Sequence, residues 1–379
     1  MADMNIILSP AKLSLKRRPK WFWPAIATGV TIGIGTVSFA ALQYQRQTAR
    51  PVLVPVIQAT IAPTPTPTPT PLPPVYSHLN GMPLTGTLPN QRPLAVMIEN
   101  HPDARPQSGL DVAPVVYEAV AEGGITRFMA IYEDPTQAVR VGPIRSARPY
   151  YVHFAAEYGA NYAHVGGSAD AMTLLASGHS GVNDVDGLSL GAPIFTRDLS
   201  RRVSIEHTVY STSNRLWNYV ASQHFASTSD YPSLLFADEA PAISRPAAQS
   251  VAVSVSVPEY AVRWDYDPSL NLYKRSMGGL PHVDVDNNKQ ITAKTIVLQS
   301  VSSSPYTETY AGGISKTVND VNVTGSGAFT LIQNGTVIKG TWKYDGSRTR
   351  YYDAAGKELA LVRGKLWIEL TYADSTISF

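Results

Sequence analysis

The sequence contains no cysteine. This excludes a disulfide framework, a thiol nucleophile, a cysteine-bound metal and a lipid attached to cysteine. An excess of charge of one sign is also lacking, since 31 Lys and Arg stand against 29 Asp and Glu. The net charge therefore gives no argument for nucleic-acid binding, and none is expected. The length of 379 residues allows two domains, and a hydrophobic share of 44% is sufficient for packed cores.

The N-terminal residues combine a basic flank with a long uncharged run. Residues 1–20 are rich in Lys and Arg, and no charged residue occurs in 21–42. A run of about 20 apolar residues can span a bilayer, and the basic flank stays in the cytoplasm. We therefore expect a single-pass anchor in the cell membrane, with the rest of the chain extracytoplasmic. The alternative is a cleaved signal peptide and secretion, with a small-x-small site at Ser38–Ala40.

A proline-rich segment follows the uncharged run. Residues 43–78 include PTPTPTPTPLPP. Alternating Thr and Pro favours extended polyproline geometry, which makes a semi-rigid spacer. The pattern predicts a stalk that holds the folded part away from the membrane.

The region 80–245 alternates apolar strand-like runs with helical patterns, which favours an α/β layered domain with a mixed sheet. Ser146 and Ser168 are plausible helix N-caps, and Ser213 is a third. The predicted strands cover 93–98, 115–120, 128–132, 139–144 and 162–165, and the predicted helices cover 147–158, 169–176 and 214–225.

The region 246–379 contains only alternating strands and turns. Asn334-Gly335 between two alternating runs is a strong hairpin signal. A mainly antiparallel β domain is expected here. Its strands and hairpins close locally, so the pattern also predicts that it folds as its own unit.

Arginines are dense in the turns between residues 92 and 168, where ordinary loops do not require them. Cationic turns at strand and helix ends suit an anionic ligand. The alternative is that the arginines pair with Glu99, Glu118 or Glu122 and brace the sheet. The candidate ligand-binding residues are Asn100, His101, Arg105, Arg127, Arg145, Arg148, Gly166, Gly167 and Ser168.

Acid–base or nucleophilic chemistry could use His101, His164, His207, Ser168 or the glutamates Glu99, Glu118 and Glu122. Of these, Glu99, Glu122 and His164 are the candidate catalytic residues. Paired glutamates can serve glycoside hydrolysis when their separation is suitable. The sequence has neither a Gly-x-Ser-x-Gly elbow nor a His-Glu-x-x-His zinc helix. His282, Asp284 and Asp286 could gather on one strand face, but an ordinary hairpin with surface carboxylates is the favoured interpretation. No metal and no cofactor are predicted.

Several long motifs resemble the YerB-like family of bacterial envelope proteins. They are RPLAVMIENHPDARPQSGL, YEAVAEGGITRFMAIYE, VGPIRSARPYY and HVGGS, followed by YKRSMGGLPHVD, GTWKYDGSRTRYYDAAGKEL and LWIEL. The resemblance covers roughly residues 80–370. It implies an exported protein with an N-terminal α/β domain and a β-rich C-terminal domain. Family members are commonly lipoproteins, whereas this chain lacks cysteine and has an apolar run in place of a lipid anchor.

The order of strands, arginines and the Gly-Gly turn between 126 and 175 also resembles the layout of the LytR-CpsA-Psr envelope phosphotransferases. Arg127 stands where that family has a metal-binding aspartate. Two functions follow from the sequence. The first is a membrane-tethered binding or regulatory module that holds an anionic glycopolymer, a lipid-linked precursor or a protein partner. The second is an enzyme acting on envelope glycopolymers by transfer or hydrolysis.

Overall fold

A computed structural model of the protein describes residues 74–86, 88–309, 313 and 315–379. They all belong to one unit that runs from Pro71 to Phe379. The predicted basic tail 1–20, membrane span 21–42 and stalk residues 43–73 lie outside the described residues. Within the described part of the chain, no helix is both long and apolar enough to cross a membrane.

Helices are few and strands are many. The described residues contain four α-helices, which are α1 (Pro149–Ala156), α2 (Ala169–Ala176), α3 (Gly187–Leu190) and α4 (Ser213–Ser222). The strands before residue 240 are β1 (Leu94–Glu99), β2 (Val115–Val120), β3 (Thr126–Tyr132), β4 (Arg140–Val141), β5 (Asn161–His164), β6 (Asn183–Asp186), β7 (Thr196–Arg197), β8 (Val209–Thr212) and β9 (Phe236–Ala237). Those after it are β10 (Ser250–Ser254), β11 (Val262–Asp267), β12 (Leu272–Met277), β13 (Leu280–Pro281), β14 (Thr292–Ala293), β15 (Thr295–Ser300), β16 (Ser302–Thr309), β17 (Ser315–Asn322), β18 (Ser326–Gln333), β19 (Thr336–Tyr344), β20 (Thr349–Tyr352), β21 (Leu361–Val362), β22 (Leu366–Thr371) and β23 (Thr376–Ser378).

Ten strands form one mixed sheet in the order β20-β19-β18-β15-β22-β2-β3-β1-β5-β6. Strands β1, β5 and β6 are mutually parallel, and β3 runs antiparallel between β1 and β2. Strand β22 is parallel to β2 on one side and to β15 on the other. The sheet therefore contains strands from both predicted regions, 80–245 and 246–379. The border between those regions stays a prediction.

A second sheet has the order β13-β12-β11-β10-β23, with β14 also paired to β12. All of its strand pairs are antiparallel, which confirms a mainly antiparallel C-terminal sheet. The predicted hairpin turn at Asn334-Gly335 joins β18 to β19, and both residues have positive φ, 52° and 70°. Asparagine and glycine adopt this conformation at low cost, so the sequence determined the turn directly.

Both faces of the large sheet are covered. Leu94, Val96 and Ile98 of β1 point into one core, and Ala95 and Met97 point into the other. Helix α1 packs in the second core, while α4 and the six-stranded sheet pack in the first. A strand buried on both faces is apolar at every position, which explains the continuous run in β1.

Of the three serines predicted as helix N-caps, one caps its helix in the structure and two do not. Ser168 caps α2 by accepting a hydrogen bond from Ala171 N at 3.3 Å, as predicted. Ser146 does not cap α1, because Ala147 N is bonded to Gly166 O and the helix begins at Pro149. Proline is favoured at the first helical position, where no backbone donor is needed. The N-cap of α4 is Thr212, one residue before the predicted Ser213.

Other boundaries also moved. The predicted strand 139–144 is reduced to the two residues of β4. Residues 179–204, for which no strand or helix was predicted, contain β6, α3 and β7. Ser77, at the end of the predicted stalk, is buried and donates to Glu133 Oε2 at 2.7 Å.

Candidate functional site

The candidate residues gather at one edge of the large sheet. Strands β1, β2, β5 and β6 run in the same direction, so all four end at this edge. Strand β3 runs the opposite way between β1 and β2. The first turn of α1 begins at the same edge, because Ala147 is bridged to Gly167 just beyond β5. Ligands of α/β sheets bind beyond the carboxyl ends of the strands, so a ligand site is expected at this edge.

Glu122 lies between two arginines. Both of its carboxylate oxygens accept hydrogen bonds from Arg148, through Nε and Nη2. Arg127 Nη2 lies 3.6 Å from Glu122 Oε2, and Arg127 Nη1 donates to Ser146 O at 2.9 Å. Burial opposes the charged form of Glu122, but the Arg148 hydrogen bond and the charges of Arg127 and Arg148 outweigh it. The pKa of Glu122 therefore lies below its ordinary value.

Glu99 is the centre of a second cluster. Its Oε1 accepts from Arg145 Nε at 2.9 Å, and its Oε2 lies 2.9 Å from His207 Nδ1. The His207 ring stacks on His101, with centroids 4.6 Å apart and planes 10° apart. Arg145 is the most exposed of the three arginines at this edge, at 27% of its side chain. Its two Nη nitrogens have no hydrogen-bond acceptor among the described residues.

His164 is fully buried and closed by its neighbours. Its Nε2 lies 2.7 Å from Asp184 Oδ1, and its Nδ1 lies 2.7 Å from Gly166 O. The Gly166 amide donates to Asp186 Oδ1 at 2.8 Å. The Gly166-Gly167-Ser168 turn therefore uses its polar groups internally, and Gly166 adopts a positive φ of 62° that favours glycine. This arrangement holds β5, β6 and α2 together.

Asn100 and Arg105 contact the C-terminal half of the chain. Asn100 Nδ2 lies 2.6 Å from Thr126 Oγ1 on β3 and 3.3 Å from Met277 Sδ on β12, and it donates to both. Arg105 donates to Glu259 O at 3.0 Å and lies over the Tyr260 ring, 4.8 Å from its centroid. Both residues therefore join the turn after β1 to the β-rich region.

The structure thus brings Glu99, Arg145, His101 and His207 together in one cluster and Glu122, Arg127 and Arg148 in another. His164 belongs to neither. The sequence named His207 only as an acid–base candidate and not as a ligand-binding residue, because its position is far from residue 101 along the chain and no local motif marks it. Arg148, Arg127 and both glutamates form mutual pairs, which is the bracing arrangement that the sequence left open.

A cleft of about 580 Å³ lies beside the Glu122 cluster, between the start of α1 and the β16–β17 hairpin. Its lining includes Tyr150, His153, Asp170, Tyr306 and Asp320. The hairpin is held there by Tyr306, which donates to Asp170 Oδ2 at 2.7 Å, and by Asn319, which donates to Ala121 O at 2.7 Å. None of the three catalytic candidates lines this cleft, and the negative charges of Asp170 and Asp320 disfavour an anion there.

A buried polar network that no sequence motif indicated lies behind the site. Arg275 Nη2 donates to Glu118 Oε2 at 2.6 Å, and both side chains are fully buried. Thr126 and Trp367 also donate to Glu118, at 2.9 and 3.1 Å. Glu369 lies next to Glu118 on β22, and neither of its carboxyl oxygens has a hydrogen-bond partner among the described residues. Burial, with the nearby charge of Glu118, raises the pKa of Glu369 well above its ordinary value.

Glu369 makes stability depend on pH in a defined direction. The unfolded carboxyl loses its proton above an ordinary pKa of 4.5, whereas the folded one keeps it. The folded state therefore loses stability as pH rises above about 4.5, by up to about 1.4 kcal/mol per pH unit. We expect Glu369→Gln to remove this slope, so that its stability relative to wild type increases from pH 5 to pH 8. Urea unfolding at several pH values measures the free energy of unfolding of both proteins. Curves of this free energy against pH that run parallel for the two proteins would contradict the prediction.

The fold and the site define a sheet-rich α+β protein in which the arginines and glutamates of the candidate site are paired with one another. Two family models match the chain. They are the N-terminal domain of a protein of unknown function (DUF3048), over residues 79–226, and the C-terminal domain of the same family, over residues 251–368. A relative named "Putative lipoprotein YerB" from Bacillus subtilis (strain 168) is 32% identical over 301 residues, which are 76% of this chain and 85% of the relative.

A crystal structure of the YerB protein from Bacillus subtilis has a similar fold. Its TM-score is 0.69 at 29% sequence identity, and the match covers 80% of this chain and all of that one. The chain belongs to the YerB-like family with DUF3048 N- and C-terminal domains. The resemblance noted from the motifs is thereby confirmed.

Proposed function

We propose that this protein is a membrane-tethered, extracytoplasmic binding module of the bacterial cell envelope. The name of its relative refers to a lipoprotein, which is an envelope protein. The present chain has no cysteine to carry a lipid, and its uncharged run at 21–42 follows a basic flank. A membrane helix would therefore perform the tethering, and the proline-rich segment would act as the spacer.

The binding function rests on Arg145. Glu99 holds its Nε at 2.9 Å, which fixes the guanidinium while leaving the two Nη nitrogens as donors toward solvent. A guanidinium fork of this kind suits a phosphate or carboxylate, which it can bind through two parallel hydrogen bonds. Three arginines face two glutamates at this edge of the sheet, so the local balance of these side chains remains positive. An anionic glycopolymer, a lipid-linked precursor or an acidic protein segment has the required chemistry.

Arg145 variants test the proposal with poly(glycerol phosphate) as the probe. We expect Arg145→Ala to weaken binding roughly tenfold to a hundredfold, the effect of losing charge-assisted hydrogen bonds of about 1.5–3 kcal/mol. Arg145→Lys keeps a charge beside Glu99 but loses the planar fork, so affinity should fall while the melting temperature changes little. Titration calorimetry at two salt concentrations measures both, and binding to wild type should weaken at the higher one.

Two comparisons make the test specific. Arg263→Ala removes an exposed arginine of β11 that pairs with Asp265, and it should leave probe binding unchanged. Arg148→Ala should lower stability, because it leaves Glu122 without its two-point partner. If Arg145→Ala binds the probe as wild type does, the arginines only brace the sheet.

A further inference from the structure

Two histidines and an aspartate converge beside Glu99. His101 and Asp103 lie on the short turn after β1, and His207 comes from the turn before β8. One ligand atom from each of the three side chains lies within 4.8 Å of the other two. His101 Nδ1 and Asp103 Oδ2 are 3.8 Å apart. In a tetrahedral site with bonds of about 2.1 Å, neighbouring ligand atoms are separated by about 3.4 Å. The three ligand atoms are therefore close enough together to reach one ion after side-chain adjustment.

The His207 ring is already oriented for a metal. Glu99 Oε2 lies 2.9 Å from His207 Nδ1, and a carboxylate can only accept a hydrogen bond, so Nδ1 carries the proton of the neutral ring. Nε2 is left with its lone pair and has no hydrogen-bond partner among the described residues. Metal-ligating histidines characteristically give their second nitrogen to a carboxylate in this way. Glu99 is itself held by Arg145 and is only 5% exposed, so the orientation is rigid.

The other two ligands have room to adjust. The side chains of His101 and Asp103 are 33% and 55% exposed. The His101 ring is held by its stack on His207 and by a long contact of 3.2 Å from Asp103 N to Nδ1. A metal lies in the plane of each imidazole that binds it, so the His101 ring would leave this parallel stack and exchange the Asp103 amide for the metal. The exposed side of the cluster leaves a fourth position open to water.

The donor set selects the kind of ion. Imidazole nitrogens suit Zn²⁺, Cu²⁺, Ni²⁺ and Fe²⁺, whereas Ca²⁺ and Mg²⁺ prefer oxygen ligands. Two imidazoles and one carboxylate with an open fourth position form the ligand pattern of exchangeable zinc sites. We propose that His101, Asp103 and His207 bind one divalent transition-metal ion of the Zn²⁺ type, with Glu99 as the outer carboxylate that orients His207. This site shares Glu99 with the Arg145 site, but its metal ligands are different residues, so metal binding does not require a bound anion.

Titration of the tag-free, full-length chain with Co²⁺ tests the proposal, because Co²⁺ reports tetrahedral nitrogen–oxygen coordination by visible absorption. After removal of metals with a chelator, we expect saturable binding of one Co²⁺ per chain, displaced by Zn²⁺ and not by Mg²⁺. His101→Ala and Asp103→Asn should each weaken binding at least about tenfold, and Glu99→Gln by about tenfold to a hundredfold through loss of the orienting carboxylate. The matched control is His179→Ala, an exposed histidine outside the cluster, which should bind as wild type does.

Two results would overturn the proposal. One is a wild-type chain that shows no saturable Co²⁺ absorption. The other is an affinity that His101→Ala and Asp103→Asn leave unchanged, which would assign the metal to other residues. Asp103 is exposed and its carboxylate has no buried partner, so Asp103→Asn keeps the test valid even if His101→Ala unfolds. Poly(glycerol phosphate) binding in the same variants separates this site from the Arg145 site.

Discussion

Replacing Arg275 with methionine is expected to lower the free energy of unfolding by about 3–5 kcal/mol. Arg275 and Glu118 form an ion pair in which both side chains are completely buried. The variant leaves the Glu118 carboxylate in the core with only the Thr126 hydroxyl and the Trp367 indole as donors. An uncompensated buried charge is costly because the surrounding apolar atoms cannot replace water. Chemical denaturation of the two proteins at neutral pH measures the difference.

The matched control lies on the adjacent strand. Arg263 of β11 pairs with Asp265 at 2.7 Å, and both side chains are largely exposed. Arg263→Met should cost no more than about 1 kcal/mol, since water screens the charges. Adding Glu118→Leu to Arg275→Met should recover part of the loss, because the unpaired charge is gone. A loss below about 1 kcal/mol for Arg275→Met would show that Glu118 takes up a proton or reaches water instead.

The second large effect concerns the C-terminal region. We expect residues 246–379, expressed alone, to show no cooperative thermal transition. Strand β22 is bonded along one edge to β2, with Val115 to Glu118 opposite Leu366 to Glu369. The fragment would expose that edge and would lose the core partners of residues such as Trp367, whose ring meets Phe128 edge to face at 5.5 Å. Unpaired edges and uncovered apolar faces promote aggregation.

A longer fragment is the control. Residues 74–379 keep the complete ten-stranded sheet, and they should melt cooperatively. Calorimetry and near-ultraviolet circular dichroism compare the two. The local closure of the hairpins predicts the opposite result, an independent β unit. A cooperative melt of 246–379 with a structured near-ultraviolet spectrum would support that prediction and would mean that pairing with β2 adds little stability.

The alternation of apolar residues was sufficient to identify most of the individual elements. Strand β2 has the predicted limits of 115–120, and α2 has the predicted limits of 169–176. Asn334-Gly335 forms the predicted turn because its backbone preference acts within four residues. The predicted strand 139–144 was too long. Only Arg140 and Val141 form β4, and a glycine and Pro143, which has no backbone N–H to donate, follow them.

The sequence named the site residues and three glutamates that could pair with the arginines, but not which pairs form. Arg148 and Glu122 were both candidates, and their pairing depends on how the turn after β2 meets the start of α1. Two other contacts also depend on the tertiary structure. His207 meets Glu99 and Arg275 is buried beside Glu118, and each pair is more than a hundred positions apart in the chain. No local propensity encodes such contacts.

By itself, the sequence determined the family, the limits of β2 and α2 and the hairpin turn at Asn334-Gly335. Those properties follow from local periodicity, turn chemistry and long motifs. Only the tertiary structure decided that strands from both regions share one sheet, that Glu122 is closed by two arginines and that His101 meets His207. The physical reason is that charge pairing and strand order are set by which surfaces are buried together, and that choice is made by the whole chain.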